Sequence, residues 1–220
     1  MAKRTAPMEL EGAVRAVRTS SRRRQLLNAA VTVMQTTGFH QMSMQALAEQ
    51  ADVSVGLIYK YFGGKEDLLR AAIVDILDAF RDELDPAMDA AGEDPVERLS
   101  AGFRRYVEIV DENLDAVVLT YRESRTLDPD GREKIKELEV ETSAPLRTAV
   151  ENGIAAGLMN ELDPDLVVFN LMMLAHTWAL KHWHFASRYT VESYVEAQLR
   201  FVLPTLLTSG AAQKYRHLVE

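Results

Sequence analysis

Residues 42–62 read MSMQALAEQADVSVGLIYKYF, and this stretch decides the fold. Ser43 stands before Met44, Leu47 and Ala48, which recur at helical spacing, and its short side-chain oxygen suits a helix N-cap. Ala51-Asp52-Val53 makes a tight turn. Ser54 then caps a second short helix that runs to Phe62 and stops at Gly63-Gly64. Two helices of about eight residues joined by a three- to four-residue turn have helix-turn-helix dimensions. On the second helix Ile58 and Phe62 share a face suited to packing, while Val55 and Tyr59 share another, with Gly56 and Lys60 beside them. Gly56 costs about 1 kcal/mol relative to Ala inside a helix, and is explained if a phosphate or base edge approaches the backbone closely.

The surrounding sequence supports that reading. Residues 1–70 carry ten Lys and Arg against six Asp and Glu, whereas the rest carries fifteen against twenty-seven, for a net charge of −8 overall. A basic N-terminal third on an acidic body predicts that one end meets a polyanion. Arg22, Arg23 and Arg24 lie in the first turn of a helix expected over Ser21–Thr36, where cations oppose the macrodipole unless an anion is the neighbour; the alternative is a solvated basic arm. Lys65, at the next helix N-terminus, would meet a phosphate with both its ammonium and free backbone amides.

The chain divides into a basic, mobile arm (1–20), the helix-turn-helix domain (21–66), a larger helical domain (67–208) and a tail (209–220). No convincing β pattern occurs. The fold class is all-α with about nine helices: Lys65–Leu84 stopped by Asp85-Pro86, Pro95–Glu112 opened by Asp94, Leu114–Leu127, a turn at Asp128-Pro129-Asp130-Gly131, Arg132–Leu158 kinked or split at Pro145, Pro164–Ser187, and a last helix from Thr190 to about Pro204. Hydrophobic residues make up 47% and charged residues 26%, which rules out wholesale disorder. The absence of cysteine excludes disulfides, thiolate metal sites and cysteine nucleophiles. No uncharged apolar run reaches the roughly 18 residues of a membrane span, and no secretory signal opens the chain, so a cytoplasmic location is expected. Phosphate-binding loops, dinucleotide fingerprints and nucleophile elbows are missing, and His182 and His184 point apart on a helix, so neither an enzyme nor a metal or cofactor site is expected.

Met42–Ala48, Val53–Phe62 with its Tyr59-x-Tyr61-Phe62, and Lys65-x-x-Leu68-Leu69 together resemble the TetR family of bacterial repressors, from about Ser21 to Ala71. The resemblance implies that Ser43 touches phosphate and Gln45 lies near the groove, with Ser54 capping the recognition helix. It implies that Val55 and Gly56 face base edges, that Tyr59 donates its hydroxyl to a phosphate, and that Lys65 clamps the backbone, with Arg22 and Arg23 adding charge. Lys60 reaches either a guanine or a phosphate, and Tyr61 either contacts DNA or packs. The recognition helix has no Arg, Asn or Gln for bidentate base readout, so Gln45, Val55 and DNA shape would carry specificity.

The helix from Pro164 is apolar nearly all round, which predicts burial on two sides, one of them a subunit interface. With the stripe on the last helix it would form an isologous four-helix contact, through Val168, Met172, Ala175, Trp178, Phe185, Tyr194, Leu199 and Val202. A homodimer reads two half-sites of a pseudo-palindromic operator. Candidate effector contacts are Arg122, Glu123, Phe103, Asn170, Met173, His176 and Thr177; the alternative places Arg122 and Glu123 on a solvated face and makes His176 a satisfied core histidine. Tyr121–Arg125 and Ala175–Trp183 are also similar to a TetR subgroup governing fatty-acid or aromatic-acid breakdown, which senses acyl-CoA thioesters. The expected function is a ligand-responsive transcriptional repressor released from DNA by a hydrophobic or acyl-CoA-like effector. The rivals are a small-molecule-binding helical dimer without DNA binding, and a drug-like or aromatic effector.

Overall fold

The computed structural model describes residues 6–219, with side chains from residue 19 onward. Among the described residues every regular element is a helix, and the only β pairing is an isolated bridge between Met159 and Leu207. The chain forms two compact units, residues 1–72 with 123–127, and 73–122 with 128–220.

In the first unit α1 (Ala6–Thr37) buries Leu26, Leu27, Ala30, Val33 and Met34. Helix α2 (Met44–Ala51) contributes Leu47, Ala48 and Ala51, and α3 (Val55–Tyr61) contributes Ile58, with Phe62 just beyond it. The start of α4 (Lys65–Ala90) closes this core with Leu68, Leu69 and Ala72. Helix α1 begins well before the expected Ser21, so the reading of residues 6–20 as an arm does not hold for the backbone. Ala6, Met8, Glu9, Leu10, Glu11, Ala13, Arg15 and Ala16 are mostly strong helix formers, and Pro7 sits in the tolerated first turn. The part of the arm at residues 1–5 lies outside the described residues.

The second unit is organised around α5 (Pro95–Glu112), which contacts α7 (Pro129–Ala155), α8 (Pro164–Leu180) and α10 (Val191–Leu206). Its Val96, Leu99, Phe103, Tyr106, Val107, Ile109 and Val110 are buried. Gly102 allows the close approach to α7: a Cβ there would sit 2.6 Å from Leu146 Cδ2 and 2.8 Å from Met88 Sδ. Helix α6 (Leu114–Glu123), a 3₁₀ turn (Ser124–Thr126) and the short α9 (His182–Phe185) and α11 (Arg216–Val219) complete the chain.

Several boundaries differ from the sequence reading for identifiable reasons. Helix α4 passes through Pro86 to Ala90: Pro86 and Asp82 face solvent, while Leu84 and Met88 anchor the turn in the core. Helix α7 likewise continues through Pro145. Asp128-Pro129 opens α7 rather than forming a turn: Asp128 accepts a hydrogen bond from the Gly131 N–H at 2.7 Å with Pro129 in the first turn, as Asp94-Pro95 and Asp163-Pro164 do for α5 and α8. The expected tail is tied to the start of α5 by side chains. Tyr215 is fully buried and donates to Asp94, whose carboxylate also accepts Lys214 Nζ at 2.6 Å and caps α5.

Candidate functional site

The exposed edge of the first unit is built from capped helix ends. Ser43 Oγ accepts from the Ala46 N–H at 3.0 Å and Ser54 Oγ from the Leu57 N–H at 3.2 Å, which fixes the starts of α2 and α3. Asp52, at φ 52°, ends α2 in the left-handed region, where a short polar side chain is tolerated. Its N–H closes on the α2 carbonyls, and the chain reverses in the space of Asp52 to Ser54. With Ile58 and Phe62 held in the core, α3 turns Gly56, Tyr59 and Lys60 to solvent and leaves Val55 half-buried. A Cβ built on Gly56 meets no heavy atom within 4 Å, and its φ is not in the left-handed region. Nothing within the subunit therefore requires glycine there.

The basic side chains around this edge are partly committed. Lys65 Nζ donates to the His40 carbonyl at 3.1 Å and lies 5.0 Å from the Phe39 ring centre, leaving two N–H donors unspent. The Arg23 guanidinium stacks over Phe62 at 5.6 Å, and Arg22 Nη1 donates to Gln25 Oε1 at 2.9 Å. Gln45 is exposed, and Tyr61 is half-buried beside Phe62.

In the second unit the titratable groups converge on His176. Tyr106 Oη lies 3.0 Å from its Nε2 and Tyr121 Oη 2.8 Å from its Nδ1, and Tyr121 also donates to Met173 Sδ at 3.4 Å. Phe80 stacks on Tyr106 with ring centres 4.0 Å apart. Burial holds His176 neutral by lowering its pKa to about 4. It raises Tyr106 well above the usual phenol value, with the nearby Glu139 and Tyr121 adding to the effect, and lifts Tyr121 to about 12, again helped by Glu139. Glu139 itself is raised by burial. Trp178, two residues on, donates its indole N–H to Asp111 at 2.7 Å.

The same α8 presents an exposed apolar stripe of Leu166, Phe169 and Met173, continued from Leu162 and joined by Phe201 of α10. Leu162, Leu166, Met173 and Phe201 border an open groove of about 530 Å³ with Asn170 and Thr177 among its polar groups. Leu166 is 62% exposed and Phe201 70%, where an isolated soluble subunit would place polar side chains. Among the described residues no cluster of His, Cys, Asp or Glu is arranged to hold a metal, and no helix is long and apolar enough to cross a membrane.

Residues 26–72 match the family described as bacterial regulatory proteins of the tetR family, and residues 92–186 match the tetracyclin repressor-like C-terminal domain. The HTH-type transcriptional regulator HbdR of Aromatoleum sp. (strain CIB) is 34% identical over 188 residues, which cover 86% of this chain and 82% of HbdR. The chain belongs to the TetR family. Two solved TetR-fold proteins share its architecture. AibR, in complex with isovaleryl coenzyme A and operator DNA, superposes with a TM-score of 0.71 at 23% identity, covering 83% of this chain and 98% of AibR. The fatty acid degradation regulator FadR from Bacillus halodurans gives 0.69 at 24% identity, covering 83% and 94%. As a TetR-family protein the chain is a transcriptional regulator and not an enzyme.

Of the residues expected at the nucleic-acid face of this TetR protein, Ser43, Gln45, Ser54, Gly56, Tyr59, Lys60 and Arg22 are exposed, whereas Val55, Tyr61, Lys65 and Arg23 are partly covered. The residues expected at the dimer contact are mostly covered within the subunit. Val168, Met172, Ala175, Trp178, Tyr194 and Leu199 are buried in the subunit's own core, with Phe185 and Val202 intermediate, so the free face of α8 is the opposite one. A helix apolar all round offers two equivalent faces to sequence reasoning, and packing against α5 chose between them. The effector candidates also divide. Phe103 is a fully buried core residue and His176 lies in the polar cluster, while Asn170, Met173 and Thr177 border the exposed groove. Arg122 is exposed, and Glu123 is buried in the 123–127 segment that groups with the N-terminal unit. Tyr106, Tyr121 and Glu139 escaped the sequence reading as site residues. Their link to His176 spans 70 and 55 residues for the two tyrosines and carries no local pattern.

Proposed function

We propose that this protein is a homodimeric, DNA-binding transcriptional repressor whose second unit binds a hydrophobic acyl-CoA-type effector that lowers its affinity for operator DNA. The observation that carries the DNA-binding part is the empty shell around Gly56 on the exposed face of α3, flanked by Tyr59 and Lys60 and preceded by two capped helix ends. A backbone kept bare with no internal reason is ready for close approach by a phosphate or base edge. The exposed stripe of Leu166, Phe169, Met173 and Phe201 supports a two-fold contact between copies through α8 and α10. The acyl-CoA class draws on AibR, whose structure holds isovaleryl coenzyme A, and on the fatty-acid regulator FadR. Effector release requires only that the ligand bind the DNA-free state more tightly than the DNA-bound one.

The test is fluorescence anisotropy of the purified protein on duplex DNA from upstream of its own gene, titrated across salt and then with short- and long-chain acyl-CoAs. Salt-sensitive binding abolished by a thioester is expected. Binding indifferent to every thioester would overturn the effector class and favour a drug-like or aromatic effector. An absence of binding at low salt would overturn the repressor reading and leave a small-molecule-binding dimer.

A further inference from the structure

His40 is the one histidine of the first unit. Its side chain is exposed and, among the described residues, neither ring nitrogen takes part in a hydrogen bond or ion pair. The turn that carries it is fixed. Gly38, at φ 81°, reverses the chain after α1, and the Met42 N–H closes on the Gly38 carbonyl at 3.1 Å. Phe39 is thereby sunk in the core and His40 left outside, three residues before the Ser43 cap of α2. The His40 ring meets the Phe39 ring edge-on, with centres 5.4 Å apart.

Lys65 comes to the same corner from α4. Its ammonium is held by the carbonyl of His40 itself and lies over Phe39, the ring that His40 also touches. A lysine and an imidazole gathered on one ring are poor neighbours by themselves, since protonating the histidine sets two cations close together. The carboxylates in the first turn of α4 do not relieve this. Asp67 is joined to Arg70 at 2.5 Å, and both it and Glu66 fold back on Gly63-Gly64, with Glu66 Oε2 3.6 Å from where a Cβ on Gly64 would stand. Neither pairs with Lys65 or His40. From Gln35 at the end of α1 to Ser43, no residue besides His40 carries an ionisable side chain. A corner with one fixed and one latent positive charge is completed by an anion from outside. A backbone phosphate of operator DNA suits it, because phosphate oxygens accept from an ammonium and an imidazolium alike, and Ser43 and α3 lie on the same exposed edge.

We propose that His40, as its cation, joins Lys65 in holding a backbone phosphate, so that operator affinity is coupled to proton uptake. This rests on the first unit being the DNA-binding head, and it adds a contact and a pH response to that reading. A phosphate favours the charged imidazole, so binding is expected to tighten as pH falls from about 8 to about 6, across the ordinary imidazole range. For a dimer the gain is about three- to thirtyfold, from one exposed ion pair on each subunit. The salt slope should steepen by up to about two units, one per histidine. Salt-titrated anisotropy of the full-length protein, repeated across that pH interval on duplex from upstream of its own gene, reads both quantities. His176 stays neutral throughout, and His182, His184 and His217 belong to the second unit. His40→Gln is expected to abolish the pH dependence while melting as the parent does, and His40→Lys to keep the tighter affinity at both ends of the interval. His217→Gln should leave the dependence intact. Affinity that ignores pH, a dependence that survives His40→Gln, or one that appears at constant salt slope would overturn the histidine contact and leave the DNA-binding reading standing. An absence of binding to any duplex at any pH would overturn both.

Discussion

Replacing Gly56 with alanine separates the needs of the subunit from the needs of its partner. The added methyl meets no heavy atom within 4 Å, and the backbone is already helical, so the folded subunit accepts it without strain. Alanine is favoured over glycine in a helix by up to about 1 kcal/mol, and the first-turn position trims this to about 0.5–1 kcal/mol. For a chain of this length that corresponds to a rise in melting temperature of roughly 1–4 °C. Operator binding is expected to move the opposite way. A methyl placed where a phosphate or base edge approaches forces the helix back and weakens its neighbouring contacts, for a loss of about tenfold or more, equal to about 1.4 kcal/mol. No charge is removed, so the dependence of log affinity on log salt should keep its slope. Thermal melts and salt-titrated anisotropy on the same preparation read both quantities. A Gly56→Ala variant that is more stable and binds DNA as tightly as the parent would refute the close approach at this residue. A variant that is less stable would refute the account of α3 itself.

Lys65→Ala should weaken binding to all duplexes and reduce the salt slope by about one unit, because its two uncommitted N–H donors are available for phosphate; an unchanged slope would show that its tie to His40 is its whole role. Leu166→Glu or Phe201→Glu should yield monomers in light scattering while leaving subunit melting within about 0.5 kcal/mol, since both side chains are largely exposed; dimers that persist in both variants would place the interface elsewhere. His176 sets a pH window. Its folded pKa of about 4 lies below the ordinary imidazole value of 6.5, so below pH 6.5 the unfolded chain takes up a proton that the folded one refuses. Its contribution is therefore full above 6.5 and is lost as pH falls from 6.5 toward 4, and His176→Gln should flatten denaturation midpoints across that interval. An identical pH profile for the two proteins would contradict the buried neutral imidazole.

The legible parts of this protein are those whose causes are local. Ser43, Ser54, Asp94 and Asp163 announce helix starts because each cap bonds within two or three residues of itself. The second helix of the motif could be oriented from spacing alone, since Ile58 and Phe62 lie four residues apart and both are buried. Prolines misled for the converse reason. Their local penalty is real, but Leu84, Met88 and Leu146 are held in a core that the sequence window does not show, and α4 and α7 continue through Pro86 and Pro145.

The sequence by itself determined an all-helical chain with a basic helix-turn-helix head and an acidic body, because caps, turn residues and charge act over a few residues. Only the tertiary structure decided which face of α8 is free. That helix is apolar on both sides, and the packing of Val168, Met172, Ala175 and Trp178 into the subunit's core leaves Leu166, Phe169 and Met173 outside. It alone brought Tyr106, Tyr121 and His176 together from three separate helices. Groups so far apart in the chain meet only where helices pack, and a buried polar cluster depends on that packing rather than on any spacing along the chain.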